Sequence, residues 1–63
     1  MTVKEFDVVR LKDGFEGTVL EVFQGNPDPA FLLESGTSDD DGRYPQRTVK
    51  KSEIVKVTYS APK

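Results

Sequence analysis

Five cationic side chains and two tyrosines fall in one short stretch of this chain: Arg43, Tyr44, Arg47, Lys50, Lys51, Lys56 and Tyr59. Guanidinium and ammonium groups contact carboxylates and phosphates, and the interleaved phenol rings stack on bases or fill apolar pockets of a protein. The stretch therefore offers a binding surface, with a protein partner as the favoured reading and nucleic acid as the alternative. Lysine and arginine at this spacing also suit an edge strand, where they discourage unwanted strand pairing.

The surrounding charge sharpens the point. Residues 1–42 carry three basic and ten acidic side chains, whereas residues 43–63 carry six basic and one acidic, so a net charge of −2 conceals an acidic first part and a basic last part. Such a split in sequence becomes a surface feature only if the fold keeps the two parts apart.

Catalytic chemistry finds few residues to work with. The chain has neither histidine nor cysteine, which removes nucleophilic triads, thiol chemistry and the usual general base near neutral pH. Paired carboxylates need a concave site dry enough to raise one pKa, and a barrel this small is filled by its own side chains. A non-enzymatic role with no cofactor follows.

The run Asp39-Asp40-Asp41-Gly42 raises calcium. Setting Asp39, Asp41 and Gly42 at the third, fifth and sixth places of a calcium loop puts Thr37 at the first and Thr48 at the last, where Asp and Glu are required. Two principal ligands are wrong, and the run reads as an acidic, solvated hairpin loop with no metal.

These side chains need a scaffold, and the stretch from Phe6 to Phe23, FDVVRLKDGFEGTVLEVF, supplies its nucleus. Two runs rich in Val, Leu and Phe flank Asp13-Gly14, a strong signal for a tight hairpin because the turn requires positive φ. Val9 and Leu11 are the deeper pair of the first strand, since Asp7 and Arg10 are not fully buried unless paired. Gly17, alone inside the returning strand, marks a bulge or a close backbone approach, and a bulge there lets the long strand bend.

Gln24–Pro29 collects turn formers and is a loop. Ala30–Glu34 is a short strand with Phe31 and Leu33 inward, and Ser35–Gly42 is a second loop. Arg43–Val49 contains Pro45 and can serve only as an edge strand. Lys50–Glu53 makes one helical turn, with Ser52 as its cap, and Ile54–Tyr59 is the closing strand. Met1–Glu5 is a frayed lead-in and Ser60–Lys63 a tail. The pattern predicts one all-β domain over residues 1–63, a small five-stranded SH3-like barrel with one short helical turn before the last strand and an ordered core of about residues 6–59.

The order Asp7-x-Val9-x-Leu11, Asp13-Gly14, Gly17-Thr18-Val19, Glu21, then Phe31 to Glu34, an acidic Asp-Gly loop and Ile54-x-x-Val57 resembles the small bacterial SH3-like proteins grouped only as a domain of unknown function. The resemblance covers residues 6–57 and implies the barrel, no enzyme activity, and a stand-alone chain that serves a cognate partner, as immunity or antitoxin-type proteins do. A looser similarity, carried by Val9 to Leu11, Gly14 and Gly17-Thr18-Val19, is to the nucleic-acid-binding barrels of ribosomal and transcription-elongation proteins. Those modules are basic, whereas Glu16 and Glu21 sit in or beside the motif here, and like charge near a phosphate backbone opposes binding.

A chain of 63 residues with no disulfide buries only about 60% of the surface it exposes unfolded. A monomer or a weak homodimer joined through an exposed strand edge is expected. No apolar run approaches membrane-spanning length and the N-terminus lacks a signal-peptide pattern, which implies a cytoplasmic chain with no membrane contact.

Overall fold

The computed structural model describes residues 2–25 and 28–62. Asn26 and Pro27 of the predicted Gln24–Pro29 loop, Met1 of the lead-in and Lys63 of the tail lie outside the described residues. Five strands form one antiparallel sheet: β1 Val8–Leu11, β2 Glu16–Phe23, β3 Ala30–Ser35, β4 Gln46–Lys50 and β5 Ile54–Tyr59, with a 3₁₀ turn at Lys51–Glu53 before β5. Their order is β4-β3-β2-β1-β5. Among the described residues no helix is long and apolar enough to cross a membrane.

The sheet is strongly curled. A flat sheet would hold its outermost strands about 19 Å apart, at about 4.8 Å per strand. Yet β4 and β5 are joined through the three residues of the 3₁₀ turn, which reach at most about 14 Å even when extended. Arg47 on β4 reaches across to Asp13 in the β1–β2 turn at 2.7 Å, a contact that a flat sheet would forbid. No ladder joins β4 to β5, so the sheet keeps two edges among the described residues.

Its inner face carries the core. Val9, Leu11, Val19, Phe31, Leu33, Val49 and Ile54 are buried together, so the expected inward pairs Val9/Leu11 and Phe31/Leu33 are found. Antiparallel partners share a face, and the register gives the rows: Val19 with Leu33 and Arg47, Val22 with Phe31 and Val49, Leu11 with Ile54. Arg47 thus sits on the core face. Its guanidinium lies 4.3 Å from the Phe15 ring centroid, closing that end of the core.

The hairpin between β1 and β2 is a three-residue loop, longer than the tight Asp13-Gly14 turn expected. Leu11 and Phe15 are joined by a backbone bond, Gly14 N–H donates to the Leu11 carbonyl at 3.0 Å, and Gly14 adopts φ +93°. This is a type I turn followed by a left-handed bulge residue.

The expected bulge at Gly17 is corrected. Gly17 pairs in register with Val9 on one side and Ser35 on the other, and the extra residue of β2 is Leu20, between the pairs Val19–Leu33 and Glu21–Leu32. Gly17 is instead a close approach. A Cβ there would stand 2.6 Å from the Glu34 carbonyl oxygen and 3.0 Å from the Phe15 ring. Glycine is needed because a backbone and an aromatic ring already occupy the space of a side chain.

Nor is the described part of the lead-in frayed. Val3 packs against the core, Phe6 N–H donates to the Val19 carbonyl at 2.7 Å, and Phe6 is held at φ +72°, a conformation that costs a non-glycine residue about 1 kcal/mol. The anchor is Asp7, the one buried charged residue among those described. Its carboxylate accepts bonds from Lys4 N–H at 3.0 Å, Lys4 Nζ at 2.9 Å and Ala61 N–H at 2.9 Å, which meets the condition under which a carboxylate can be buried. Lys4 Nζ also donates to Ser60 Oγ at 2.7 Å, so one carboxylate fastens both ends of the described chain.

Candidate interaction surface

The seven residues singled out in sequence are spread over the β3–β4 loop, β4, the 3₁₀ turn and β5. Arg43 and Tyr44 are exposed in the β3–β4 loop, Lys50 ends β4, Lys51 lies in the 3₁₀ turn, and Lys56 and Tyr59 are on β5, the opposite edge strand. Arg47 is committed to the fold. It faces inward onto Phe15 and bonds to Asp13, whose carboxyl is held below its ordinary pKa first by the Phe15 N–H and then by Arg47.

The acidic run is occupied with its own backbone. Asp39 Oδ1 accepts the N–H groups of Asp41 and Arg43, both at 2.9 Å, and Gly42 at φ +77° closes the turn by donating to the Asp39 carbonyl. This arrangement fixes a hairpin loop. Among the described residues no group of three or more acidic side chains converges as a metal site would require.

What the fold assembles is a different cationic group. Arg10 of β1 pairs directly with Lys56 of β5, and since Val9 and Leu11 point inward, both cations stand on the outer face. Lys12 N–H donates to the Glu53 carbonyl at 3.1 Å, which sets Lys12 beside the 3₁₀ turn that carries Lys51. All four cationic residues are exposed. In the next outward row Tyr59 pairs with Val8, and the residue is 57% exposed. Arg10 has Glu16 as an outer-face neighbour, with an ion pair at 3.5 Å.

Sequence reading missed Arg10 and Lys12 because they belong to the acidic part of the chain. Only the pairing of β1 with β5, which joins segments far apart in sequence, brings them to Lys56 and Lys51. The available signal was the inward assignment of Val9 and Leu11, which forces Arg10 outward.

Both sheet edges are poor templates for another strand. Pro45 precedes β4, and the Lys50 N–H is taken by Glu53 Oε2 at 2.8 Å; this carboxylate, rather than the expected Ser52, caps the 3₁₀ turn. β5 carries two extra residues relative to β1, Val55 and Thr58, and bulges of this kind twist an edge away from regular pairing.

An open groove of about 500 Å³ lies at the hairpin end of the sheet, bounded by Val8, Phe15, Glu16, Thr18 and Ser35, with Glu16 as the only ionisable side chain on its wall. No family model matches the chain, and comparison with curated proteins and with solved structures finds no match either.

Proposed function

We propose that this chain is a non-enzymatic SH3-like barrel that binds an acidic protein partner through the outer surface where β1, β5 and the 3₁₀ turn meet. The barrel reading is supported by the five-strand order, the strong curl and the short turn that links the two outermost strands. The non-enzymatic reading is supported by the absence of histidine and cysteine and by a groove whose wall holds a single carboxylate, which cannot divide acid and base roles between two groups.

One observation carries the partner reading. Arg10 and Lys56 are direct cross-strand neighbours on a solvent-facing surface, where like charges repel, and the Arg10–Glu16 pair at 3.5 Å sets only one carboxylate beside the two cations. An acidic partner would relieve that repulsion, while Tyr59 beside it has the amphipathic ring favoured at protein interfaces.

Affinity capture from native extract with the wild-type chain and with the Arg10→Glu/Lys56→Glu variant tests the reading. The expected result is a partner retained by wild type and lost by the folded double variant. A partner retained equally by both would overturn the assignment of the face. Titration of labelled protein with single-stranded RNA and DNA at low salt separates the two classes: salt-sensitive shifts centred on Arg10, Lys56 and Tyr59 would favour nucleic acid instead.

A further inference from the structure

Phe6 is the most exposed large apolar residue among those described, at 61%, and its backbone stands at φ +72°. Packing within the chain accounts for neither. A turn closed by Asp7 N–H donating to the Lys4 carbonyl at 3.2 Å makes Phe6 the third of its four residues, and a positive φ at that position ordinarily calls for glycine or asparagine. A bulky residue there is a genuine outlier. The partly buried apolar side chains packed on the core are Val3, Phe15, Val22 and Val57, and Phe6 is not among them.

The strained turn is also fixed in place. Phe6 N–H donates to the Val19 carbonyl at 2.7 Å, and the Asp7 carboxylate that follows it accepts both the N–H and the Nζ of Lys4. A ring mounted on a fixed turn loses little backbone freedom when it binds, which favours it as an anchor. Strained residues held by the structure around them cluster at ligand clamps and other functional sites.

Position ties the ring to the cationic surface. Val8 pairs with Tyr59, Lys4 Nζ donates to Ser60 Oγ at 2.7 Å, and Ala61 N–H donates to Asp7 at 2.9 Å. The Lys4–Asp7 turn therefore sits at the end of the β1–β5 ladder that carries Tyr59, the second most exposed large apolar residue. Phe6 and Arg10 are four residues apart, at most about 14 Å along the chain, so one partner footprint of ~800 Å² takes in Phe6, Tyr59, Arg10 and Lys56. Exposed aromatic rings beside an arginine are the residue types enriched in binding hot spots.

We infer that Phe6 is the apolar anchor of this surface, entering an apolar pocket of the partner bordered by the carboxylates that face Arg10 and Lys56. The inference rests on the acidic-partner reading above and adds the pocket to it.

Phe6→Asn tests it in two ways, since asparagine tolerates this φ and lacks the ring. In urea unfolding the variant should be at least as stable as wild type. A lower midpoint would show that the ring is held for packing within the chain, and would overturn the inference. For binding, the protein that the wild-type chain retains from native extract is identified by mass spectrometry, purified, and titrated calorimetrically against wild type, Phe6→Asn and Arg10→Glu/Lys56→Glu. Phe6→Asn should weaken binding by about 30-fold, the ~2 kcal/mol of a buried aromatic anchor. Equal affinity for wild type and Phe6→Asn, with loss in the charge variant, would overturn the anchor and leave the cationic surface standing. Loss in Phe6→Asn alone would keep Phe6 as the contact and overturn the cationic surface, and retention of no protein would count against both. Self-association of the wild type that Phe6→Asn abolishes, or Phe6-dependent binding to phosphatidylserine vesicles, would put the ring against a second copy or a bilayer and overturn the inference.

Discussion

Replacing Asp7 by Asn is the sharpest test of what holds this small domain together. The carboxylate uses both oxygens: Oδ1 accepts Lys4 Nζ and Ala61 N–H, and Oδ2 accepts Lys4 N–H. An amide keeps only one acceptor. If its oxygen takes the Oδ1 place, its NH₂ faces the Lys4 N–H donor; if it flips, the Ala61 N–H and the ammonium are left unmet. One unsatisfied buried donor costs about 1–3 kcal/mol, and conversion of charge-assisted bonds to neutral ones adds to it, so a loss of about 2–4 kcal/mol is expected. A domain of this size has a total stability of only about 3–9 kcal/mol.

Urea unfolding at neutral pH followed by two probes gives the number, and repeating it down to acid pH gives the mechanism. Burial pushes the Asp7 carboxyl up, but the bonds from Lys4 and Ala61 and the Lys4 charge outweigh it, leaving a net lowered pKa. A group whose folded pKa is depressed contributes stability above its unfolded value, near 3.9, and loses it as pH falls through the folded one. The wild-type chain should therefore weaken from about pH 5 downward, and Asp7→Asn should lose that part of the slope. A loss under about 0.5 kcal/mol, the ordinary range of surface substitutions, together with an unchanged acid limb, would refute the clasp.

Three further outcomes follow from the packing. Val19→Ala, at a fully buried position in the central row, should cost about 1–3 kcal/mol in the same unfolding assay; a change within a few tenths would mean that β2 faces the other way. Gly17→Ala should destabilise more than Gly14→Ala, since the first drives a Cβ into the Glu34 carbonyl whereas the second meets open space and suffers only its left-handed φ, about 1–2 kcal/mol. The reverse ranking would show that Gly17 is not a close approach. Arg47→Gln should raise the Asp13 pKa in an NMR titration yet leave it below the ordinary value, because the Phe15 N–H still holds the carboxylate; an unchanged Asp13 would remove Arg47 from the turn.

Much of the scaffold was legible because it is written in local alternation. Val9 and Leu11, Phe31 and Leu33, the proline-limited β4 and the single helical turn before β5 all follow from spacing within a few residues. The features that escaped depend on distant segments. Nothing near Asp7 announces that Ala61 will complete its hydrogen bonding, and nothing near Gly17 distinguishes a bulge from the approach of Glu34. Arg47 reads as one more surface cation until the curl brings Phe15 beneath it. The candidate surface was half legible for the same reason: Lys51, Lys56 and Tyr59 belong to the basic segment, whereas Arg10 and Lys12 reach it through the β1–β5 ladder.

That ladder has a kinetic consequence. The pairs β1–β2, β2–β3 and β3–β4 join neighbours in sequence and close short loops, while β1–β5 must bring nearly the whole chain around before any bond rewards it. The Asp7–Ala61 bond, spanning 54 residues, belongs to this late step. Interactions absent from the transition state govern the unfolding rate and leave the folding rate nearly untouched. Asp7 thus acts on the lifetime of the folded chain, and its replacement should steepen the loss through faster opening, visible in the unfolding limb of a chevron, with refolding close to wild type.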